Sequence, residues 1–417
     1  MVALMAVVTF VACSDSDSAD DPLQPAADQT TTARREMGFS CRFAEPTTRA
    51  AGDGEYTTAM LQASGFGVYC WYTGSTHFDP AFTAPNTHIK DYLGENGQLL
   101  MNNQKVTYSG GVWSYTPKKY WPINQEELLT LRAYAPYTSY VMTDVHGMPQ
   151  LPVVLGTTTK NARLYGNDYH EGTQHDPLWG TGRLVLPGGE YDRVAGHEKY
   201  GSLYDNITYE MSGSNRLKET TPADTRNGTI DWFFHHGMSC LMFTCTVIAD
   251  PGCDKVTIQS IEINDLYTRG LLSLSSPTAT ESEKPIWNQR DGNMRVRLSN
   301  AEDSTDLASK PLKIDITDSS QPTGPVNLID PNKGLLIIPR EFATGEGMKV
   351  TVTYTIDNES ELLIAVGTVK RNFDGNTKYT VELKLTPATK GLEIEIVQSA
   401  FTPWYDGGTG ESDVYNW

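Results

Sequence analysis

Long apolar runs are what this chain most lacks. After Val2–Ala12 no segment reaches the roughly 18 consecutive apolar residues of a membrane-spanning helix, so nothing downstream of that stretch is expected to cross a bilayer as a helix. Positive charge is scarce as well: 33 Lys and Arg stand against 51 Asp and Glu, a net charge of −18. Nucleic acid and anionic lipid are themselves polyanions that select basic surfaces, so neither is an expected partner. Catalytic signatures are missing too. There is no GxSxG elbow, no GxxxxGK[ST] phosphate loop and no GxGxxG turn, which leaves nucleotide chemistry and the commonest serine hydrolase arrangement without support. Asp and Glu are plentiful, but no pair stands in a context that marks a glycosidase acid and nucleophile. No catalytic residue, metal or cofactor is expected, and the chain reads as a non-enzyme.

What the chain does have begins at Cys13. It closes the apolar stretch Val2–Ala12, follows the small Ala12 and is followed at once by polar, acidic Ser14–Asp21. A short apolar segment with small residues at its end is what a signal peptidase requires, so residues 1–12 are expected to be a lipoprotein signal and Cys13 the lipidated first residue. No Lys or Arg precedes the apolar stretch, although such signals open on a basic region, and the true start is expected upstream of Met1. Residues 13–35 read as a low-hydrophobicity tether. With Cys13 committed to lipid, Cys41, Cys70, Cys240, Cys245 and Cys253 are an odd number, so at least one is a free thiol. Their spacing lacks the CxxC pairs of a zinc ribbon; buried structural thiols are expected, with a Cys245 to Cys253 bridge left open.

The rest of the chain alternates strand and turn. Period-two patterns run through Met37, Phe39, Cys41 and Phe43, through Leu241, Phe243, Cys245 and Val247, through Val350, Val352, Tyr354 and Ile356, and through Tyr379, Val381, Leu383 and Leu385. Turn clusters such as Gly110-Gly111 and Asp374-Gly375-Asn376 separate them, and 36 Gly with 23 Pro break the chain too often for a helical protein. The expected class is all-β, built from β-sandwiches. The one short helix candidate is Asn124–Leu131, where Gln125, Glu126, Glu127, Leu128 and Leu129 favour it, but it lasts barely two turns and a loop is the alternative. The length allows two domains, and polar Met211–Asp231 is the best boundary, giving domains at 36–225 and 226–417.

Several constellations resemble sites without making one. His170-Glu171 and His175-Asp176 have HExxxH spacing with Gly172 between, so the imidazoles would not share a helix face, and a solvated loop is expected. His235 and His236 are adjacent on a strand and point to opposite faces, so at most one is expected in the core. Asp224, Asn227, Gly228 and Asp231 miss the spacing of a calcium loop. Trp113, Tyr115, Tyr120, Trp121, Tyr134 and Tyr137 could form a sugar-stacking platform, but core packing is the favoured reading.

Taken in order, several segments resemble the fimbrillin family that builds type V pili in Bacteroidetes-type bacteria. They are the signal and tether leading to Met37–Phe43 and Thr47-Thr48-Arg49-Ala50; Trp113-Ser-Tyr-Thr-Pro-Lys-Lys-Tyr-Trp121-Pro running into Leu131-Arg-Ala-Tyr-Ala-Pro136; Asp176-Pro-Leu-Trp-Gly180; and His235-His-Gly-Met-Ser-Cys-Leu-Met-Phe243. Leu335–Pro339, Val350–Tyr354, Tyr379–Leu383 and Trp404 follow in the family's order. One departure is that Cys240 and Leu241 stand where the family's histidine-led strand usually has a small residue and a Lys or Gln.

The resemblance implies two transthyretin-like Greek-key β-sandwiches in tandem and a surface lipoprotein precursor. An arginine-specific protease would cut between Arg49 and Ala50, with Arg34 and Arg35 as rival sites, and release the first strand, Met37, Phe39, Cys41 and Phe43. Other fimbrillin subunits would be the partners, joined by donor-strand exchange, first at the outer membrane surface through the lipid anchor and then in the fimbrium. The donor would be the tail containing Phe401, Trp404, Val414, Tyr415 and Trp417, beyond a last native strand with Leu392, Ile394 and Ile396. Gly407, Gly408 and Gly410 let that tail either fill a neighbour or cap its own domain. The alternative to a pilus subunit is a monomeric surface glycan-binding lipoprotein; the adhesion ligand is not legible.

Overall fold

The computed structural model describes residues 36–43, 58–74, 88–93, 99–121, 128–155, 162–164, 176–185, 209–212, 229–248, 253–274, 285–298, 311–318, 320–328, 334–357, 359–387, 389–396 and 402–403. Within them lie twenty-four strands, numbered β1 to β24 along the chain, and one short α-helix, α1 (Thr58–Ser64). The all-β class is borne out. No helix among the described residues is long and apolar enough to cross a membrane.

The first sheet runs β1 (Gly38–Phe43), β11 (Thr229–His236), β9 (Leu178–Val185), β5 (Leu128–Ala135), β2 (Phe66–Gly74), β3 (Leu99–Ser109) and β4 (Val112–Ser114), with β10 (Tyr209–Ser212) also on β5. The second runs β18 (Thr323–Asn327), β12 (Ser239–Val247), β22 (Thr377–Thr386) and β23 (Gly391–Ile396), with β19 (Leu335–Ile337) on β12 and β24 (Thr402–Pro403) on β22. The third runs β16 (Met294–Arg297), β13 (Lys255–Leu266), β20 (Met348–Ile356) and β21 (Leu363–Val369), with β17 (Leu312–Asp315) on β13. The fourth runs β15 (Ile286–Asp291), β14 (Arg269–Ser273), β7 (Pro149–Leu155) and β6 (Met142–Thr143), with β8 (Ala162–Leu164) on β7.

Two cores follow from the side-chain pattern. One face of the first sheet gathers Met37, Phe39, Phe66, Val68, Leu129, Leu131, Ile230, Trp232 and Phe234. The opposite face contributes Tyr69, Trp71 and Tyr134 to a larger core that also holds Leu151 and Val153 of the fourth sheet and the inward residues of the second and third. β22 shows why its alternation was readable: buried and half-buried residues alternate along its whole length, as a strand with one covered face requires. β12 lies between β22 and the β18 and β19 strands, and nearly all of it is buried, so Cys240 and Met242 are enclosed along with Leu241 and Phe243.

One expectation needs correction. Leu128–Leu131 belong to β5, paired with β2 on one side and with β9 and β10 in part on the other, and not to a helix; two turns of helix propensity cannot compete with a central place in a sheet. Cys245 and Cys253 are both buried free thiols, as expected, and the bridge left open does not form; burial followed by the neighbouring Glu382 pushes the Cys245 thiol up to about 12. The polar stretch Met211–Asp231 is flanked by strands of one sheet: β10 lies before it and β11 after it, both in the first sheet. The fourth sheet likewise joins β6, β7 and β8 to β14 and β15, so two sheets draw on both sides of residue 225.

Candidate functional site

β1 is an edge strand. Among the described residues it pairs with β11 alone, in parallel, from Gly38 opposite Thr229 to Phe43 opposite Phe234. The two ends of the sheet meet there: the Met37 N–H donates to the Lys119 carbonyl at 2.8 Å, Glu36 bridges Tyr120, and Lys118 Nζ pairs with the Glu36 carboxylate. The Tyr115 hydroxyl donates to the Met37 carbonyl at 2.8 Å. A strand held by one ladder and a few end contacts still carries core side chains. Met37 is 0% exposed and Phe39 6%, and the Phe39 ring lies 5.2 Å from Tyr115 and 6.4 Å from Phe66. Cys41 packs against the same core, and burial with the nearby Asp231 pushes its thiol well above the usual range.

The outward face of β1 is keyed to β11. The Ser40 hydroxyl donates to Asp231 Oδ1 at 2.8 Å, and Asp231 is itself buried. Gly38 sits so close to β11 that a Cβ there would lie 2.8 Å from Thr229 Oγ1. Asp231, weighed above against a calcium loop, is therefore a strand residue bonded to β1; Asp224, Asn227 and Gly228 lie outside the described residues.

At its other end β11 enters a buried junction. Trp179 and Leu178 of β9 pair with His235 and His236 of β11. The Asp176 carboxylate holds His236 Nδ1 through one oxygen and accepts the Met238 N–H at 3.0 Å through the other. Gly237 donates to the Pro177 carbonyl at 2.8 Å, its own carbonyl accepts Trp287 Nε1 at 2.7 Å, and a Cβ on it would lie 2.5 Å from Pro177 O, so the crossing requires glycine. Asn376 N donates to the Met238 carbonyl at 2.9 Å. This knot ties β11 of the first sheet to β12 of the second. Two segments singled out separately in the sequence, Asp176–Gly180 and His235–Phe243, meet in it. The solvated-loop expectation fails at Asp176, which is 0% exposed; burial pushes its carboxyl up, opposed by His236 and the Met238 N–H. His170, Glu171 and His175 lie outside the described residues, and no group of three or more His, Cys, Asp or Glu among the described residues could hold a metal.

One of the two histidines is buried, in keeping with the strand alternation. His236 is buried, and half-buried His235 stacks on Trp179 with ring centroids 4.6 Å apart. Burial, and then His236, pushes His235 down to about 4 from an ordinary 6.5. Between those values the unfolded chain binds a proton that the folded chain refuses, so stability falls as pH drops from about 6.5 towards 4, by on the order of 2 to 3 kcal/mol. Denaturant midpoints measured from pH 7 to pH 4.5 should fall in the wild type. They should fall less in His235→Phe, and equal slopes would contradict the assignment.

The candidate sugar platform is mostly enclosed: Tyr115, Trp121 and Tyr134 are buried, while Trp113, Tyr120 and Tyr137 are half-buried. Cys13, Arg34, Arg35, Arg49, Ala50, Phe401, Trp404, Val414, Tyr415 and Trp417 lie outside the described residues. Leu392, Ile394 and Ile396 form β23, antiparallel to β22, and Thr402–Pro403 returns to the opposite end of β22 at Thr377 and Lys378. Sequence reasoning missed the Tyr115 bond to β1 and the Asp176–His236 pair; the paired histidines were the one visible signal for the latter.

The all-β class fits the resemblance to fimbrillins drawn from the sequence. That resemblance is borne out by a stretch of 142 residues, 28% identical to the fimbrium subunit Fim1C of Phocaeicola vulgatus. The stretch is 33% of this chain and 31% of that protein, so the match spans about a third of the curated relative's length. No protein-family model matches the chain. Among solved structures, a fimbrial protein from Bacteroides vulgatus aligns with 88% of this chain and 100% of its own at 16% identity and a TM-score of 0.45. A putative cell adhesion protein from Bacteroides uniformis aligns with 88% and 99% at 12% identity and a TM-score of 0.40.

Proposed function

We propose that this chain is a structural subunit of a cell-surface fimbrium serving adhesion, made as a precursor and polymerised by donor-strand exchange. The observation that carries the reading is β1: a sheet-edge strand with a single ladder among the described residues, where Phe39, and Met37 just before the strand, nonetheless fill the core. Such a strand can leave without unravelling the sheet, but its departure uncovers apolar surface and the unpaired backbone groups of β11, which another strand can cover. Arg49 lies a few residues past Phe43 in sequence, so a cut between Arg49 and Ala50 would sever β1 from the rest of the chain while leaving β11 in place.

In this scheme Cys13 anchors the precursor by lipid at the outer membrane surface, and an arginine-specific protease frees residues 13–49. The tail from Phe401 to Trp417 donates to the next subunit, with Trp404, Val414, Tyr415 and Trp417 as its apolar residues. The start of that tail lies on its own β22, so donation leaves from the second sheet of one subunit towards the first sheet of another. Two units are proposed, 36–225 and 226–417, with β11 of the second lying on the sheet of the first and the chain crossing to the second sheet at Gly237. No catalytic role is assigned.

Limited digestion of the unlipidated chain with an arginine-specific protease tests the scheme. New N-termini at Ala50 together with ladders or filaments are expected. Cleavage elsewhere, or at Arg49 with a strictly monomeric product, would count against it.

A further inference from the structure

β21 closes one side of the third sheet. It pairs with β20 from Leu363 opposite Tyr354 to Val369 opposite Met348, without a bulge, and no strand among the described residues pairs with its other edge. Natural proteins blunt such edges with lysine, proline or a bulge. Leu363–Val369 has none of them, and its outward side is apolar: Leu362 is 59% exposed, Ile364 56% and Val366 47%. The strand cannot rotate to hide these groups. Ala365 and Val369 are buried on its other face, and Gly367 lies so close to β23 that a Cβ would stand 2.7 Å from Ile394 Cδ1.

The apolar strip is one strand wide. Across the ladder Val366 faces Thr351 and Ile364 faces Thr353, and beyond Thr351 lies Glu262, held by Arg295 and Arg297. A strip of that shape suits another strand laid edge to edge better than a broad partner. Its ends carry opposite charge, with Glu359 and Glu361 before it and Lys370 and Arg371 after it. An antiparallel copy of the same segment matches both ends at once, because each acidic end then meets a basic one.

We infer that β21 is a self-complementary docking edge at which two copies of this chain join antiparallel about a two-fold axis at Ala365. A two-fold perpendicular to the sheet keeps outward residues outward, so partners must be an even number of residues apart in sequence. With Ala365 opposite itself, Ile364 of each copy faces Val366 of the other, Leu362 faces Thr368, and Lys370 lies opposite Ser360, between Glu359 and Glu361. The contact extends the third sheet across the axis and joins side by side subunits that need neither cleavage nor strand exchange. It is therefore independent of the reading above.

Sedimentation of the full, uncut chain over a concentration series tests it. The wild type should approach twice the protomer mass, and Ile364→Lys and Val366→Glu should each raise the dissociation constant by about tenfold or more. Mixed in equal amounts, the two variants should recover the dimer, since the introduced lysine and glutamate face each other in this register alone. Unchanged thermal melts, expected at exposed sites, establish that both variants are folded. A wild type that stays monomeric, as it would if its own tail covered β21, would overturn the proposal. So would a dimer that neither substitution weakens, or folded variants that fail to recover it when mixed.

Discussion

Replacing Phe39 with alanine is expected to cost about 3 to 5 kcal/mol of stability, the usual loss for a large buried aromatic. The ring is 6% exposed and packs against Tyr115 and Phe66, so its removal leaves a cavity between the edge strand and the core that neither neighbour can fill without leaving its own contacts. Because β1 has one ladder among the described residues, the loss should appear first as local release rather than global unfolding. Hydrogen exchange of the β11 amides from Ile230 to Phe234 should accelerate well before that of β22. In the precursor this variant should also be cut more readily at Arg49. Exchange in β11 equal to that of the wild type would show that Phe39 is not what holds β1 down.

Asp176→Ala is expected to be as damaging, at about 3 to 5 kcal/mol, for a different reason. The carboxylate is fully buried and bonds His236 on one side and the Met238 N–H on the other, so truncation leaves both polar groups facing an apolar gap. Asp176→Asn keeps an acceptor for Met238 and should lose less. Since the pair sits where β11 passes into β12, the alanine variant should loosen the coupling between the first and second sheets. A chemical denaturation curve that is single in the wild type should broaden or split. A single transition shifted by less than about 1 kcal/mol would show that the junction tolerates the loss.

Much of the fold was legible because one covered face imposes alternation. β22 and β20 were readable from Tyr379–Leu385 and Val350–Ile356, each with polar residues between the apolar ones. β1 was readable from Met37–Cys41, although nothing in its own sequence says that it pairs in parallel with a strand some 190 residues later; non-local pairing leaves no local trace. The helix candidate at Asn124–Leu131 was wrong at Leu128–Leu131 because central placement in a sheet outweighs propensity. The interleaving of sheets across residue 225 was hidden because a polar connection looks alike whether it joins two domains or two strands of one sheet. Of the site, the edge strand was visible as a pattern. The Asp176–His236 bond was not, because its partners lie 60 residues apart and each reads alone as an ordinary surface residue.

Departure of β1 is the step on which the proposed assembly depends, and it can be locked. Ser40 and Asp231 face each other across the β1–β11 ladder, with the serine hydroxyl 2.8 Å from the carboxylate, so Ser40→Cys with Asp231→Cys should place two thiols within reach of a disulfide. The measurement is the size distribution of this double variant after cleavage between Arg49 and Ala50, oxidised and then reduced. If β1 must leave for subunits to join, the oxidised protein stays monomeric, and ladders appear on reduction. Equal polymerisation in both states would contradict strand exchange at this edge.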